Sequence, residues 1–321
     1  MDAPSCIACT APDARYWFTK RTDHGAYGIH RCQTCDTAFV WPRPSDDDIE
    51  RYYHSGHYAA DGELIRQNDD GADDDHGTYG RIEADKALAA ERAYPNTTLD
   101  AARVASVCKE LAPGSRFLDV GAGFGFFSRA AKDAGFDVTS LEPSPKRQAA
   151  FREIAGFEAS RRFFDQGFIS EHEGAFDLVL MSQVLEHVLH LDDTLEGFRR
   201  VLSTGGIVAI AVPHFRSTVS LAQGKDDMFI VPPEHLNFFT QKGLADLFGR
   251  HGFPTLRMET VSRFDPTRIA TKLERLPVPG PAKLALPLAS RLASSGLKAS
   301  LRLSDAARRG MFLNGYFRKT A

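Results

Sequence analysis

Residues 117–127 read Phe117-Leu-Asp-Val-Gly-Ala-Gly-Phe-Gly-Phe-Phe127, and a second short apolar run ends at Glu142. Phe117 to Val120 has the letters of a buried strand. Three glycines then turn the chain directly into a helix, presenting bare backbone N–H groups at a positive helix N-terminus. Glu142 stands 21 residues after Gly121, at the expected tip of the neighbouring strand, where a carboxylate can accept both hydroxyls of a ribose. Strand, glycine turn, helix, second strand and terminal acid together predict a site for an adenosine-bearing ligand.

Glycine spacing separates the two cofactor classes that use this geometry. A dinucleotide site wants G-x-G-x-x-G, but position 126 is Phe. What stands is Asp119-x-Gly121-x-Gly123-x-Gly125, which resembles motif I of the class I S-adenosylmethionine (SAM) methyltransferases. The resemblance implies an α/β Rossmann-like sheet of seven strands, with Gly121, Ala122, Gly123 and Gly125 passing under the methionine part of the cofactor. Asp119 belongs to the same motif, and Glu142 with Pro143 would take the ribose side.

Outward from this unit the pattern continues. Pro143-Ser144-Pro145 starts a helix to about Ile154, and a short third strand is expected near Phe157. Asp165, in the following loop, is a candidate for the adenine amino group. Phe176 to Met181 is apolar enough for a central strand covered on both faces. Ser182-Gln183-Val-Leu-Glu-His187 follows at the carboxyl edge of the sheet and resembles motif IV of the same family, with Ser182 and Gln183 on the cofactor side. Ile207 to Val212 reads as the fifth strand, Pro254 to Val261 as the sixth and Phe312 to Arg318 as the seventh, inserted antiparallel beside the sixth. Thr240 should cap a helix from Gln241 to His251, and Asn96 or Thr97 a helix after Pro95.

Four of the five cysteines form Cys6-x-x-Cys9 and Cys32-x-x-Cys35, with 22 residues between the pairs. That is the spacing of two knuckles sharing one tetrahedral zinc ion. Four thiolates leave no open position, so the ion is expected to fold a ribbon over residues 1–44 rather than to catalyse. Cys108 lies in a helical, apolar context and reads as a small buried hydrophobe. A connector over residues 45–80 begins with Ser45 capping a helix that carries Tyr52 and Tyr53, with Tyr58 beyond. These tyrosines suit packing between ribbon and main domain, which is the preferred reading, the alternative being that one of them sets its ring or hydroxyl beside a sulfonium. The Asp- and Gly-rich run 61–80 reads as a solvated lid loop, since it can bury little apolar surface.

The chain has 321 residues and a formal net charge of −3, and the charge is divided unevenly. Residues from 262 onward hold twelve Lys and Arg against three Asp and Glu. The body is correspondingly acidic, which argues against a nucleic-acid substrate, as does the lack of an Asn/Asp-Pro-Pro-Tyr/Phe motif. The methyltransferase domain is expected over 81–262 plus 311–321, with a basic helical insertion at 263–310. Such an insertion can lie on anionic headgroups as a peripheral membrane contact, or pack as a cap over the acidic body, which is the preferred reading. No apolar run approaches a membrane span and no signal-peptide pattern is present, so a cytoplasmic monomer or homodimer is expected.

For chemistry, His187 and His235 both fall at the carboxyl edge of the sheet, with Glu234 and Asn237 beside the second. Histidine exchanges protons near neutrality and suits deprotonation of an acceptor. The four-cysteine ribbon, tyrosine-bearing connector, Leu-Glu-His and Glu-His resemble the sugar-modifying methyltransferases that act on nucleotide-linked deoxysugars, and their relatives in polysaccharide gene clusters. That resemblance implies Glu234 and His235 as an acid/base pair, with His187 and one of Tyr53 or Tyr58 near a small-molecule or glycan acceptor. The chain departs from the carbon-methylating members by carrying the basic insertion in place of a large additional α/β domain. Oxygen methylation of a glycan or lipid-linked acceptor fits equally well. The alternatives are an inactive interaction protein that keeps the ribbon and the cofactor fold, and a nucleic-acid methyltransferase.

Overall fold

A computed structural model describes residues 4–54, 76–93, 95–263 and 286–320. Tyr58 and most of the acidic run lie outside the described residues, as does the side chain of Tyr53 and the first part of the basic insertion.

The chain builds two sheets. The larger has six strands, β4 (Arg116–Val120), β5 (Asp137–Leu141), β6 (Phe176–Ser182), β7 (Leu202–Pro213), β9 (Thr255–Val261) and β10 (Phe312–Arg318), in the spatial order β5-β4-β6-β7-β10-β9. The first four are parallel, and β10 lies between β7 and β9, antiparallel to both. Phe176 through Met181 are all buried, as expected of a strand covered by helices on both faces. Where a third strand was expected near Phe157, there is one isolated parallel bridge, Leu141 to Ser160. Only two backbone bonds join it to β5, and exposed Arg161 follows at once, so the pairing stops before a strand develops.

Helices cover the faces. They are α3 (Asn96–Leu111), α4 (Phe126–Asp133), α5 (Pro145–Ala155), α6 (Gln166–Glu171), α7 (Leu191–Val201) and α9 (Gln241–Arg250). α2 (His76–Ala93) precedes α3, α8 (Thr218–Gln223) follows β7, and α10 (Leu286–Ala306) precedes β10. Thr240 caps α9 as expected, its hydroxyl accepting from the Gly243 amide at 3.0 Å. The cap of α3 is not Asn96 or Thr97. The Glu91 carboxylate reaches over from α2 and accepts from the Thr97 and Thr98 amides, a longer side chain doing from one helix what a short one does in place. Cys108 is fully buried in the core beneath β4 and β7. Among the described residues no helix is long and apolar enough to cross a membrane.

The smaller sheet has the order β1 (Ala14–Thr22), β2 (Gly25–Cys32), β3 (Ala38–Val40) and β8 (Asn237–Phe238). β8 comes from 200 residues later in the chain and pairs Ala38 with Phe238 and Phe39 with Asn237. The cysteine-bearing region is therefore sewn to the excursion after β7. Thr240 also donates its hydroxyl to the Cys35 carbonyl at 2.6 Å, and Arg250 donates to the Ala8 carbonyl at 3.0 Å. α1 (Asp46–His54) follows the small sheet, with Ser45 and Asp48 closing its first turn reciprocally.

Candidate active site

The glycine turn sits at the carboxyl end of β4. Gly121 takes a φ of +72°, and a Cβ there would stand 2.6 Å from a Val184 methyl, so side chains are excluded both by the backbone and by the motif after β6. Gly125 opens α4 at φ +85°, and its Cβ would strike Phe151 and Ala155 at 2.8 and 2.9 Å. A Cβ at Gly123 would meet nothing within 4 Å, which marks this as the open side of the loop. The Gly121 and Ala122 amides both donate to the Leu141 carbonyl at 2.9 Å, tying the turn to the end of β5.

Glu142 is almost fully buried at that end. Its carboxylate accepts from the Gly123 amide at 2.8 Å and from the Ser144 amide at 2.9 Å, one bond to each oxygen. A carboxylate has about four lone-pair sites, so two remain for a diol. Burial raises its pKa, the positive Arg147 and the two amides working the other way. Pro143 follows immediately and leads into α5. Asp119 is buried beneath the turn and accepts from the Ser128 hydroxyl at 2.5 Å; burial pushes its pKa up to about 7. Asp119 thus braces the loop from below. Asp165 uses one oxygen to cap α6, accepting from the Phe168 amide at 2.8 Å, and the residue is otherwise exposed. At the end of β6 the Ser182 hydroxyl is buried and has no hydrogen-bond partner among the described residues, and Gln183 adopts a left-handed φ of +56° with both its amides bonded to the Ala211 carbonyl.

A second cluster lies at the same sheet edge. His187 ends a single 3-10 turn, Leu185–His187, and its Nδ1–H donates to the Glu234 carbonyl at 2.8 Å. His235 likewise donates from Nδ1 to the Phe229 carbonyl at 2.8 Å. A carbonyl can only accept, so both rings hold their proton on Nδ1 and present a lone pair at Nε2. The rings meet edge to face, 4.8 Å between centroids. Burial, helped by the neighbouring imidazole, pulls His187 down to about 3, and burial pulls His235 down to about 4. Both are neutral at pH 7.

Sequence reasoning passed over Glu186 as a site residue. Its carboxyl is 1% exposed, neither oxygen has a hydrogen-bond partner among the described residues, and one oxygen is 4.0 Å from His187 Nε2. Burial, with the Glu234 carboxyl adding, pushes it up to about 8. Glu186, His187 and His235 bring three acceptor-type atoms within 4.8 Å of one another, a set that could also ligate a cation. The only prior signal was that Glu186 is the middle residue of Leu-Glu-His. Glu234 is half-buried beside this cluster, and burial raises its pKa. A cavity of about 500 Å³ opens nearby, between the β1–β2 hairpin and α1, with Tyr27, Pro42, Tyr52 and Pro233 on its wall.

The four cysteines of the ribbon gather as a single group, all Sγ atoms within 4.8 Å of one another, and none is in a disulfide. Cys6 and Cys35 are 3.5 Å apart at sulfur, and Cys9 and Cys32 3.6 Å. Tetrahedral zinc at about 2.3 Å from each sulfur requires about 3.8 Å between sulfurs, so the group fits the ion. The amides of Ala8, Thr34 and Cys35 point at Cys6 and Cys32 sulfur at 3.3–3.4 Å, donors suited to thiolates.

A glycine turn over the end of a parallel sheet, a buried ribose-type acid after the next strand, and an antiparallel last strand define a class I SAM-dependent methyltransferase. A family model described as a methyltransferase domain matches residues 91–257, more than half of the chain, and the chain belongs to this family. Curated relatives include a ubiquinone biosynthesis O-methyltransferase of Caulobacter sp. (strain K31), 32% identical over 116 residues, or 35% of this chain and 46% of that protein. A 2-methyl-6-phytyl-1,4-hydroquinone methyltransferase of Synechocystis is 34% identical over 104 residues, 32% of this chain and 33% of that one. The chain thus spans about half, or less, of the length of these relatives. Among solved structures, a SAM-dependent methyltransferase from Archaeoglobus fulgidus aligns with a TM-score of 0.49 at 17% identity, over 73% of this chain and 99% of that one.

Proposed function

We propose that this chain moves a methyl group from SAM to a hydroxyl of a small-molecule acceptor, with His235 taking the hydroxyl proton at Nε2 beside His187. The observation that carries the reading is the pair of imidazoles fixed by their Nδ1–H bonds, edge to face 4.8 Å apart, on the segments that follow β6 and β7. SAM, when bound, supplies a methyl on a sulfonium whose departing thioether needs no acid. The chain's part is to seat the cofactor through the 121–125 turn and Glu142, and to orient the acceptor oxygen. The proton from that oxygen goes to the His235 imidazole; the Glu186 carboxyl, 4.0 Å from His187 Nε2 and itself protonated at neutral pH, contributes no counter-charge.

The same geometry bears on the acceptor. Imidazoles held down near 3 to 4 are weak bases and match an acidic hydroxyl, such as a phenol with a pKa of about 10, better than the far less acidic alcohol of a sugar. The relatives named for ubiquinone and hydroquinone methylation support that preference. The glycan or nucleotide-sugar acceptor implied by the sequence resemblance draws no support from them. In the ribbon, Cys6, Cys9, Cys32 and Cys35 hold one structural zinc ion.

The test is methyl transfer from labelled SAM to a panel of catechols and hydroquinones set against nucleotide sugars, with S-adenosylhomocysteine binding followed by calorimetry. His235→Ala is expected to lower turnover by about 10²- to 10⁴-fold, the usual share of a general base, while leaving cofactor affinity intact. Glu142→Ala is expected to do the reverse first, weakening cofactor binding by roughly 2 kcal/mol through the loss of charge-assisted ribose bonds. Undiminished turnover in His235→Ala would remove the proton-acceptor role, and sugar nucleotides outperforming phenols would overturn the acceptor class.

A further inference from the structure

Arg43 lies between Pro42 and Pro44, just past the end of β3, and its guanidinium does something unusual for a cation away from solvent. It has no carboxylate partner among the described residues. Instead it donates to four oxygens on two separate segments. Nη1 reaches the Leu236 carbonyl at 3.1 Å and the Asn237 side-chain oxygen at 2.9 Å. Nη2 reaches the Val188 carbonyl at 3.3 Å and the Leu189 carbonyl at 3.1 Å. The first segment directly follows Glu234 and His235; the second directly follows Glu186 and His187.

Three further bonds join those two segments. The Leu236 amide donates to the Glu186 carbonyl at 2.8 Å, and the Asn237 side-chain amide donates to the Leu185 and Val188 carbonyls at 3.1 and 2.7 Å. Asn237 cannot reach the outer carbonyl at Leu189, and the planar fork of an arginine can span both segments at once. Its root is held by the ribbon: the Val40 amide donates to the Leu236 carbonyl at 3.0 Å and the Trp41 amide to the Gly28 carbonyl at 2.8 Å. A Cβ at Gly28 would lie 2.5 Å from the Trp41 oxygen, so the backbone carrying Arg43 is packed tightly on β2.

We infer that Arg43 is a positioning residue, a clamp by which the cysteine ribbon fixes the His187 and His235 segments relative to each other. This rests on the reading of those histidines as the acceptor-side groups. The desolvated charge costs stability with no counter-anion to offset it, and only four well-placed oxygen acceptors make the arrangement tenable. It also gives the ribbon a task at the reaction centre: the residue leaving the metal-bound sheet sets the spacing of two rings whose Nδ1 bonds run to neighbouring loop carbonyls, that of His187 crossing from one segment to the other.

The experiment uses the full-length, zinc-loaded protein with ¹⁵N-labelled histidine, comparing wild type with Arg43→Lys and Arg43→Met; His187→Gln and His235→Ala assign the signals. Lysine keeps the charge but cannot bridge both segments. In both Arg43 variants the two imidazoles are expected to lose their single Nδ1–H tautomer and to titrate at higher pH than in wild type, with zinc content unchanged and S-adenosylhomocysteine affinity within about twofold of wild type, because none of the four oxygens that Arg43 holds belongs to the glycine turn or to Glu142. Turnover on whatever acceptor is used should fall roughly 10- to 100-fold at unchanged cofactor affinity, the scale of an ångström's misplacement. Wild-type imidazole spectra and titration in a folded Arg43→Met protein would overturn the inference. So would simultaneous loss of zinc and cofactor binding in both variants, which would make Arg43 a determinant of global stability. Because the spectra need no acceptor, they report on Arg43 even if His235→Ala turns over normally and the proton-acceptor reading fails.

Discussion

Glu186 holds a buried carboxyl without a hydrogen-bond partner among the described residues, and its proton affinity makes a prediction about the whole chain. Its folded pKa of about 8 lies above an unfolded value of about 4.3, so between those pH values the native state keeps a proton that the unfolded chain has released. Stability from this group is therefore lost as pH rises, up to about 8. His187 and His235 act in the opposite direction: unfolded imidazoles take up protons below about pH 6.5 that the folded rings refuse until about 3 and 4, so acidification through that range destabilises. The trends oppose each other below pH 6.5, and above it the acids act alone, Asp119 contributing to about 7. The cofactor-free protein should thus lose up to about 2 kcal/mol between pH 6.5 and 8, seen as a fall in Tm of a few degrees. Glu186→Gln should flatten most of that slope; a wild-type slope in the variant would show that another group carries it.

If the four cysteines hold zinc as proposed, the elements most exposed to its loss are β3 and β8. Without zinc the cysteine knuckles have little core of their own to hold them, and β3 should fray together with the two-residue strand that pairs with it. His235 stands two residues before β8, whereas Gly121 to Gly125 and Glu142 hang from β4 and β5, which share no pairing with the ribbon. Chelation, or Cys9→Ser, should therefore depress methyl transfer by at least about tenfold while S-adenosylhomocysteine still binds, a split that calorimetry and turnover measure separately. Elements of this kind differ in how legible they are from sequence. β4, β6, α5 and α9 announce themselves through apolar runs and caps at fixed offsets, because the forces that make them are local. The third strand did not form because pairing along an edge depends on how many partners remain, and the start of α3 was capped from α2. Arg43 was invisible for the same reason: its four acceptors lie about 145 to 195 residues away, and nothing in Trp-Pro-Arg-Pro foretells them. The glycine turn and the buried Glu142 were thus readable from one continuous stretch, while Glu186 and its surroundings needed the fold.

At the scale of the molecule, Asp100 joins parts of the chain that no strand pairing connects. It is buried on α3, pairs with Arg103 and Arg263, and accepts from the Asn314 side chain of β10 at 3.2 Å. Asp100→Ala would leave two guanidinium groups without that partner in a largely dry setting, and should cost about 3 kcal/mol, read as a lower midpoint in urea at unchanged slope. A loss under about 1 kcal/mol would mean that Glu259, which also pairs with Arg103, takes up the charge. The pairing of Ala38 with Phe238 and Phe39 with Asn237 has a different reach, because it decides how this chain can be recombined. The glycine turn and Glu142 are written in a single run of chain, but the acceptor half, on the function proposed above, is divided between the segment ending at Arg43 and the segment around His235. A chimera that imports either piece alone would inherit a mismatched seam. One that exchanges both together, leaving residues 116–182 in place, would pass an intact methyl donor site to a new acceptor pocket.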